Sequence, residues 1–266
     1  MSNNIILFPD FQKLKEEVDK LRVELSMLVL ERDELRFVKC KNIEMTYMLK
    51  LGSIEYKAFE AQCNYLRLKR KVELIQAKKN RQEKIVLTQI EDILNAEFEE
   101  FKKKLDEQIN RMNAAIKRSQ CDVLSAEEAK ELKKIYHEIV KALHPDLNPN
   151  ITQGQLDLFS NAVNAYETGD LNTLRIIHGM ISKPTLSDDH KNVMSQLAEE
   201  KERLIGLLKT VKDSIEKIKS EFPYTVKELI QDPEKIAARK RELKKIIRQY
   251  EEAIAAYKAR IEEMLR

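Results

Sequence analysis

Residues 11–28 read FQKLKEEVDKLRVELSML, and the spacing of their apolar residues decides the class of the fold. The apolar residues recur at steps of three and four, at Phe11, Leu14, Val18, Leu21, Leu25 and Leu28. Such a heptad pattern places a narrow apolar stripe on one side of a helix, where it packs against a partner helix. The stripe continues to Leu35, although the charged Arg32 occupies the intermediate position. The stretch predicts a coiled-coil helix, whose partner is either another segment of this chain or a second copy in a homodimer.

The composition of the rest of the chain also predicts helices. The 266 residues include 5 glycines, 6 prolines and no tryptophan, whereas average usage is about 7% Gly and about 5% Pro. Neither Gly nor Pro occurs between Gly52 and Pro145. Because the tight turns of sheets depend on such residues, we expect an all-α protein. All-β folds and doubly wound nucleotide-binding folds are excluded.

Charge and cysteine content exclude several function classes. Lys and Arg number 48 against 45 Asp and Glu, a net charge of +3 that is typical of a solvated helical surface. Cys40, Cys63 and Cys121 lack metal-site spacing, so we expect free thiols in a reducing compartment and no metal or other cofactor. No signal peptide or membrane span is recognisable, so a cytoplasmic location is expected.

Break signals divide the chain into four predicted segments. These are a tail (1–9), a long helical arm (10–118), a compact domain (119–184) and a coiled-coil hairpin (187–266). Gly52 and Ser53 predict a turn within the arm, with a continuous rod as the alternative. A second break is expected near 83–88, where Thr88 and Glu91 fit a capping box. The alternative there is one helix of about 100 Å.

The last segment contains two further heptad stripes of similar length. One runs from Leu197 to Phe222 and the other from Leu243 to Met264. Between them, Asp232 and Pro233 fit the N-cap and first position of a helix. Matched lengths and a short connection predict that these two helices pair as an antiparallel hairpin.

The compact domain holds the most informative motif. Ser125 with Glu128, and Thr152 with Gln155, fit two capping boxes that open amphipathic helices, and Asp170 fits the cap of a third helix. The first helix must end near Leu143, because a residue that precedes proline avoids the α region. The two helices therefore face each other across a loop that carries His144, Pro145 and Asp146.

Residues 132–149, LKKIYHEIVKALHPDLNP, resemble the second helix and loop of a J-domain, the module of DnaJ-type co-chaperones. Residues 159–167, FSNAVNAYE, are similar to the third helix of that family. The resemblance spans roughly residues 122–168. It implies a helical hairpin whose core includes Leu132, Tyr136, Ile139, Phe159 and Ala162.

In that family the loop docks on a DnaK-type ATPase chaperone and stimulates its ATP hydrolysis. The resemblance implies that docking residues here are His144, Pro145 and Asp146, with a basic helix face from Lys133, Lys134 and Lys141. Asp146 would offer a carboxylate to a partner arginine.

Some positions depart from the family pattern. His137, Glu138, Ala142 and Leu147 stand where basic residues are usual, and the signature of the first helix is absent. The zinc-binding cysteines and substrate-binding domains of full DnaJ proteins are missing too. Two functions stay open: a co-chaperone whose helical arms select an unknown client or location, and a coiled-coil adaptor that uses a J-like fold as a wedge.

A basic segment in the arm is the remaining candidate site. Residues 67–84 include Lys69, Arg70, Lys71, Lys78, Lys79 and Arg81, which would suit an anionic partner. Most such runs are solvated helix faces, and aromatic residues for base stacking are lacking, so we do not expect binding to nucleic acid or a membrane surface. No catalytic arrangement is recognisable, and we do not expect an enzyme.

Overall fold

The computed structural model describes residues 9–120, 124–181 and 193–266, and within these ranges it contains helices and no strand. The prediction of an all-α fold is confirmed. No helix among these residues is long and apolar enough to cross a membrane. Predictions for the tail up to residue 8, for Cys121 and for the start of the 187–266 segment lie outside the described residues.

The helices are named in chain order. They are α1 (Pro9–Asp33), α2 (Cys40–Tyr47), α3 (Ser53–Asn80), α4 (Leu87–Glu97), α5 (Glu99–Ser119), α6 (Ala126–Leu143), α7 (Gln153–Thr168), α8 (Leu171–Met180), α9 (Val193–Ser220), α10 (Lys227–Gln231) and α11 (Pro233–Leu265). Two π-helical turns, Glu34–Lys39 and Met48–Gly52, follow α1 and α2, and a 3₁₀ turn, Tyr224–Val226, precedes α10.

These helices form two compact units whose boundaries differ from the predicted segments. Unit 1 combines the residues up to 41 with 122–225, and unit 2 combines 42–121 with 226–266. The predicted arm (10–118) and the predicted hairpin (187–266) are thus each divided between the units. The compact domain (119–184) belongs to unit 1 from residue 122 onward. The reason is that helices distant in sequence pack together, α1 on α9 and α3 on α11. Each unit therefore combines parts of two predicted segments.

Unit 1 contains a parallel pair of helices, α1 and α9. The apolar stripe predicted from residues 11–28 is buried at Val18 and Leu25, which lie in one core with Leu204 and Leu208. Ion pairs flank this core at heptad intervals along α1, joining Glu17 to Lys201, Glu24 to Lys212 and Glu31 to Lys219. The residue numbers of both helices increase from one ion pair to the next, so α1 and α9 run in the same direction.

The predicted antiparallel hairpin is wrong, because its two helices pack on other partners. α9 packs along α1 in unit 1, and α11 packs along α3 in unit 2. A heptad stripe specifies that a helix needs an apolar partner, but several helices of this chain offer one. Matched length and a short connection were therefore insufficient to identify the pair.

Unit 2 is built around α3 and α11, which also run parallel. Tyr65 contacts both Tyr250 and Tyr257, with ring centroids 5.5 and 5.6 Å apart. Towards the carboxyl end of α3, Ile75 lies in one apolar core with Leu94 of α4. The Asp232 cap of α11 is confirmed, since its carboxylate accepts hydrogen bonds from two backbone N–H groups of the first turn.

The predicted turn at Gly52 is wrong, since the backbone stays helical there, with φ −53° and ψ −46°. A Cβ atom at Gly52 would lie 3.1 Å from Cγ of Met112 and 3.3 Å from Sδ of Met48. The glycine therefore permits the close approach of α5 and does not end a helix.

The second predicted break is confirmed between α3 and α4, but its predicted cap is wrong. α4 begins at Leu87 with Val86 at the N-cap. Thr88 already lies inside the helix. Glu91, the expected partner of Thr88, instead pairs with Arg67 and Lys71 of α3.

We predict that Leu204→Ala destabilises unit 1 by about 2–5 kcal/mol, because Leu204 is fully buried between α9 and α1. Ile205→Ala is the matched control: the neighbouring side chain is 44% exposed, and its truncation should change the free energy of unfolding by less than about 0.5 kcal/mol. Urea unfolding of both variants checks this. Equal effects at the two positions would contradict the α1–α9 pairing.

Candidate functional site

The predicted compact domain contains the three-helix group α6, α7 and α8. Both capping boxes are confirmed: Ser125 caps α6 with Glu128, and Thr152 caps α7 with Gln155. Asp170 caps α8, accepting a hydrogen bond from the N–H of Thr173.

The helices α6 and α7 run antiparallel, as shown by two ring contacts: Tyr136 with Tyr166 and His144 with Phe159. Of the predicted core, Leu132, Tyr136, Ile139 and Ala162 are buried, and Phe159 is partly buried.

The His144–Pro145–Asp146 loop is a tight turn at the end of α6. His144 leaves the helix in an extended conformation, as a residue before proline should. Its carbonyl accepts hydrogen bonds from the backbone N–H groups of Leu147 and Asn148 and from the Asn148 side chain. Pro145 is exposed at the tip of the turn, whereas His144 is only 4% exposed. The loop is thus held rigidly, with its proline outward and its histidine inward.

Arg32 of α1 reaches this loop. Its guanidinium bonds to the Asp33 carboxylate, with Nη2 2.9 Å from Oδ1. The same Nη2 lies 3.1 Å from Nε2 of His144, and Nη1 lies 3.9 Å from Oδ2 of Asp146. One cation therefore faces both polar side chains of the His-Pro-Asp motif.

Asp33 connects Arg32, and through it the His-Pro-Asp loop, to the middle of α6. Its carboxylate is only 2% exposed and accepts a hydrogen bond from the Tyr136 hydroxyl at 2.9 Å. Burial, together with the negative charge of Asp33, raises the pKa of Tyr136, so the hydroxyl stays protonated and serves as a donor. The Tyr136 ring is fully buried and stacks on Tyr166 with centroids 4.0 Å apart.

The surroundings of the His144 ring favour its neutral form. Burial lowers its pKa, and the Arg32 cation adds to that effect against the opposing charges of Asp146 and Asp33. Nδ1 accepts the backbone N–H of Asp146 at 3.0 Å. With Nδ1 as the acceptor, the neutral ring carries its proton on Nε2, and a second proton on Nδ1 would face the backbone N–H of Asp146. Proton binding is therefore unfavourable in the folded state.

A second arginine, Arg203 of α9, holds the other side of the loop. Its Nη1 donates to the backbone carbonyl of Asp146 at 3.0 Å. The same guanidinium pairs with Glu200, with Nε 2.7 Å from Oε2, and Glu200 also pairs with Arg22 of α1. The parallel helices α1 and α9 thus each contribute one arginine to the loop.

We call this arrangement the loop cluster, and it consists of Arg32, Asp33, Tyr136, His144, Asp146 and Arg203. Sequence reasoning placed His144 and Asp146 together but missed the residues from α1 and α9. Arg32 carried a usable signal, since it stands at a core position of an apolar heptad stripe, where a charge requires a buried partner. Arg203 carried none, because flanking charges are common on coiled-coil helices.

The predicted basic face of α6 is only partly available. Lys133 forms an ion pair with Glu34, next to α1. Lys134 and Lys141 are exposed. His137 lies between Lys133 and Lys141 on α6, one turn from each. It contacts Ser26 of α1, with Nε2 3.3 Å from Oγ. The α1 helix therefore lies beside this face as well as beside the loop.

The basic segment of α3 is largely neutralised by neighbouring carboxylates. Among its six candidate residues, Arg70 pairs with Glu97 and Glu73, Lys71 pairs with Glu91, and Lys78 and Arg81 both lie against Glu83. Hydrogen bonds from Arg70 and Lys71 lower the pKa values of Glu97 and Glu91. Lys69 and Lys79 are exposed. Most of these cations thus join α3 to α4 or to the turn between them.

Comparisons with known proteins add no assignment to this site. A scan against protein-family models, a search of curated proteins and a search of solved structures each found no match. Within residues 9–120, 124–181 and 193–266, no group of three or more His, Cys, Asp or Glu side chains is placed to hold a metal ion. The chemistry of the loop cluster is that of charge-assisted hydrogen bonds.

We predict that Tyr136→Phe lowers the free energy of unfolding of unit 1 by about 1.5–3 kcal/mol, because the buried Asp33 carboxylate loses a hydrogen-bond donor. Tyr166→Phe is the matched control. It removes a hydroxyl from the stacked ring, which has no described hydrogen-bond partner, and should cost much less. Denaturant unfolding of the two variants measures the difference. Equal losses would show that the Tyr136–Asp33 hydrogen bond contributes little.

We also predict that unit 1 loses stability as pH falls through about 6.5. The folded-state pKa of His144 lies below its ordinary value of 6.5, so the unfolded chain binds more protons in that range. Burial lowers the pKa of His137 as well, which adds to the same trend. Above a pH of about 6.5, the stability that comes from keeping these two histidines neutral is fully present.

Urea unfolding at pH about 7.5 and about 5.5 checks this prediction. His144→Gln should reduce the difference between the two conditions. His137→Gln should reduce the difference less, because His137 is less buried than His144. An undiminished difference in the His144 variant would assign the effect to other groups.

Proposed function

We propose that the protein is a J-domain-like co-chaperone that engages a DnaK-type ATPase chaperone through the His144–Pro145–Asp146 loop and stimulates ATP hydrolysis. The observation that carries the proposal is the position of this motif. It forms a rigid turn at the end of the antiparallel pair α6 and α7, with Pro145 exposed and the Asp146 side chain 33% exposed.

The chemistry of the loop supports docking. The Asp146 carboxylate can accept a charge-assisted, two-point hydrogen bond from an arginine of a partner, and Pro145 restricts the loop before contact. Lys134 and Lys141 remain exposed on α6, where they would attract an acidic surface during the first encounter. No covalent chemistry is required of this chain.

The replacements at His137, Ala142 and Leu147 would weaken that encounter, because each removes a positive charge that the family usually has near the loop. Fewer charges slow association more than they weaken the docked state. In this proposal the coiled-coil helices of unit 1 and the helices of unit 2 select the client or the location, and the client's identity stays open.

A second candidate function is a coiled-coil adaptor in which the J-like helices act as a wedge and no chaperone is stimulated. One observation favours it. The loop is already engaged within unit 1, since Arg32 of α1 lies beside His144 and Asp146, Arg203 of α9 donates to the Asp146 carbonyl, and His144 is buried. In that function the His-Pro-Asp motif would serve only to attach α6 to the coiled coil.

Stimulated ATP hydrolysis distinguishes the two functions. We expect the full chain, at saturating concentration, to raise the single-turnover ATPase rate of the source organism's DnaK-type chaperone. Asp146→Asn should abolish the increase, because an amide keeps the shape of the side chain but removes the charge that an arginine recognises.

The matched control is Asp157→Asn on α7, which removes the same charge from an exposed position outside the His144–Asp146 turn. Circular dichroism should show unchanged helicity in both variants. A folded wild-type chain that gives no stimulation at any concentration would refute the co-chaperone proposal and favour the adaptor.

A further inference from the structure

The groups that a docking partner would contact are already engaged by the chain's own arginines. Arg203 holds the carbonyl of Asp146 at 3.0 Å, and Arg32 lies 3.9 Å from its carboxylate. A partner arginine that approached Asp146 would meet two guanidinium groups of the same charge. It would have to compete with them for one carboxylate and one carbonyl.

Each arginine has a second carboxylate that would keep it paired after it left the loop. Arg32 bonds to Asp33 through both Nε and Nη2, at 3.0 and 2.9 Å. Arg203 bonds to Glu200 through both Nε and Nη2, at 2.7 and 3.0 Å. Breaking a buried ion pair is costly mainly because one charge is left without a partner. Releasing the loop avoids this cost, since each guanidinium keeps its second carboxylate.

The contacts with the loop are the weaker ones in each case. The 3.9 Å separation of Arg32 from Asp146 is at the limit of an ion pair, and both Asp146 and Arg203 keep about a third of their side-chain surface exposed. Partly exposed pairs are screened by water and contribute modestly. These contacts can oppose docking without preventing it.

We propose that Arg32 and Arg203 form an internal latch that occupies the His-Pro-Asp loop and competes with an arginine-bearing docking surface. This inference rests on the proposed function, since it describes how the same site is regulated. Docking on the chaperone then requires both guanidinium groups to withdraw onto Asp33 and Glu200. Any event that separates the loop from α1 and α9 increases docking.

The test measures the concentration of this protein that gives half-maximal stimulation of the DnaK-type ATPase. Arg203→Gln should lower that concentration about threefold, and Arg32→Gln combined with Arg203→Gln should lower it about tenfold. The maximal rate should stay unchanged, because the docking residues are intact. A tenfold change corresponds to about 1.4 kcal/mol.

Arg22→Gln is the matched control. Arg22 pairs with the same Glu200 and carries the same charge, but its side chain is half-exposed and contacts the carboxylate rather than the loop. Its removal should leave the half-maximal concentration unchanged. If Arg22→Gln and Arg203→Gln have equal effects, net charge explains them and the latch is refuted.

Arg32→Gln leaves the buried Asp33 without its cation and can unfold unit 1, so the single Arg203→Gln variant is decisive on its own. If the wild type stimulates and Arg203→Gln has the same half-maximal concentration, the latch is refuted while the co-chaperone function stands. If the folded wild type gives no stimulation, the proposed function fails, and the latch fails with it.

Discussion

The buried carboxylate of Asp33 is the constraint on which the architecture of unit 1 depends. Carboxylates are seldom buried to this extent, because the loss of hydration must be offset by charge and hydrogen bonds. Arg32 supplies the charge from the same helix, and Tyr136 supplies a hydroxyl from α6. The carboxylate thereby ties the first coiled-coil helix to the helix that carries the His-Pro-Asp motif. A register of α6 that brings the Tyr136 hydroxyl to Asp33 satisfies this carboxylate.

The same constraint determines the state of the loop. With Arg32 paired to Asp33, its guanidinium lies against His144, whose pKa is lowered mainly by burial and further by that cation. The neutral ring accepts the N–H of Asp146 and helps to keep the turn closed. Arg203 then holds the Asp146 carbonyl from α9. The His-Pro-Asp motif is thus part of a polar contact between the α6–α8 helices and the α1–α9 pair.

Sequence reasoning identified the parts of this structure that are encoded locally. The caps at Ser125, Thr152, Asp170 and Asp232 depend on residues within one turn, and all four were predicted. The loop at Pro145 was predicted for the same reason. The partners of the heptad helices were not predicted, because a heptad stripe does not specify which helix it packs on, and α9 packs on α1 although its predicted partner was α11.

Individual residues also had roles that only three-dimensional contacts reveal. Gly52 suggested a turn, but its lack of a side chain leaves space for Met112 of α5. Glu91 suggested a cap, but it pairs with cations of α3. Arg32 interrupted an apolar stripe, and that interruption proved to mark the candidate site. A charge at a core heptad position indicates that a partner exists, while the identity of that partner depends on the assembled fold.

The Asp33 carboxylate and the Tyr136 hydroxyl stabilise one another across the α1–α6 contact. A double-mutant cycle of Asp33→Ala and Tyr136→Phe, followed by denaturant unfolding, measures this coupling. The structure predicts a coupling free energy of about 1.5–3 kcal/mol, as expected for a hydrogen bond to a buried charged group. Additive effects, with a coupling below about 0.5 kcal/mol, would contradict the claim.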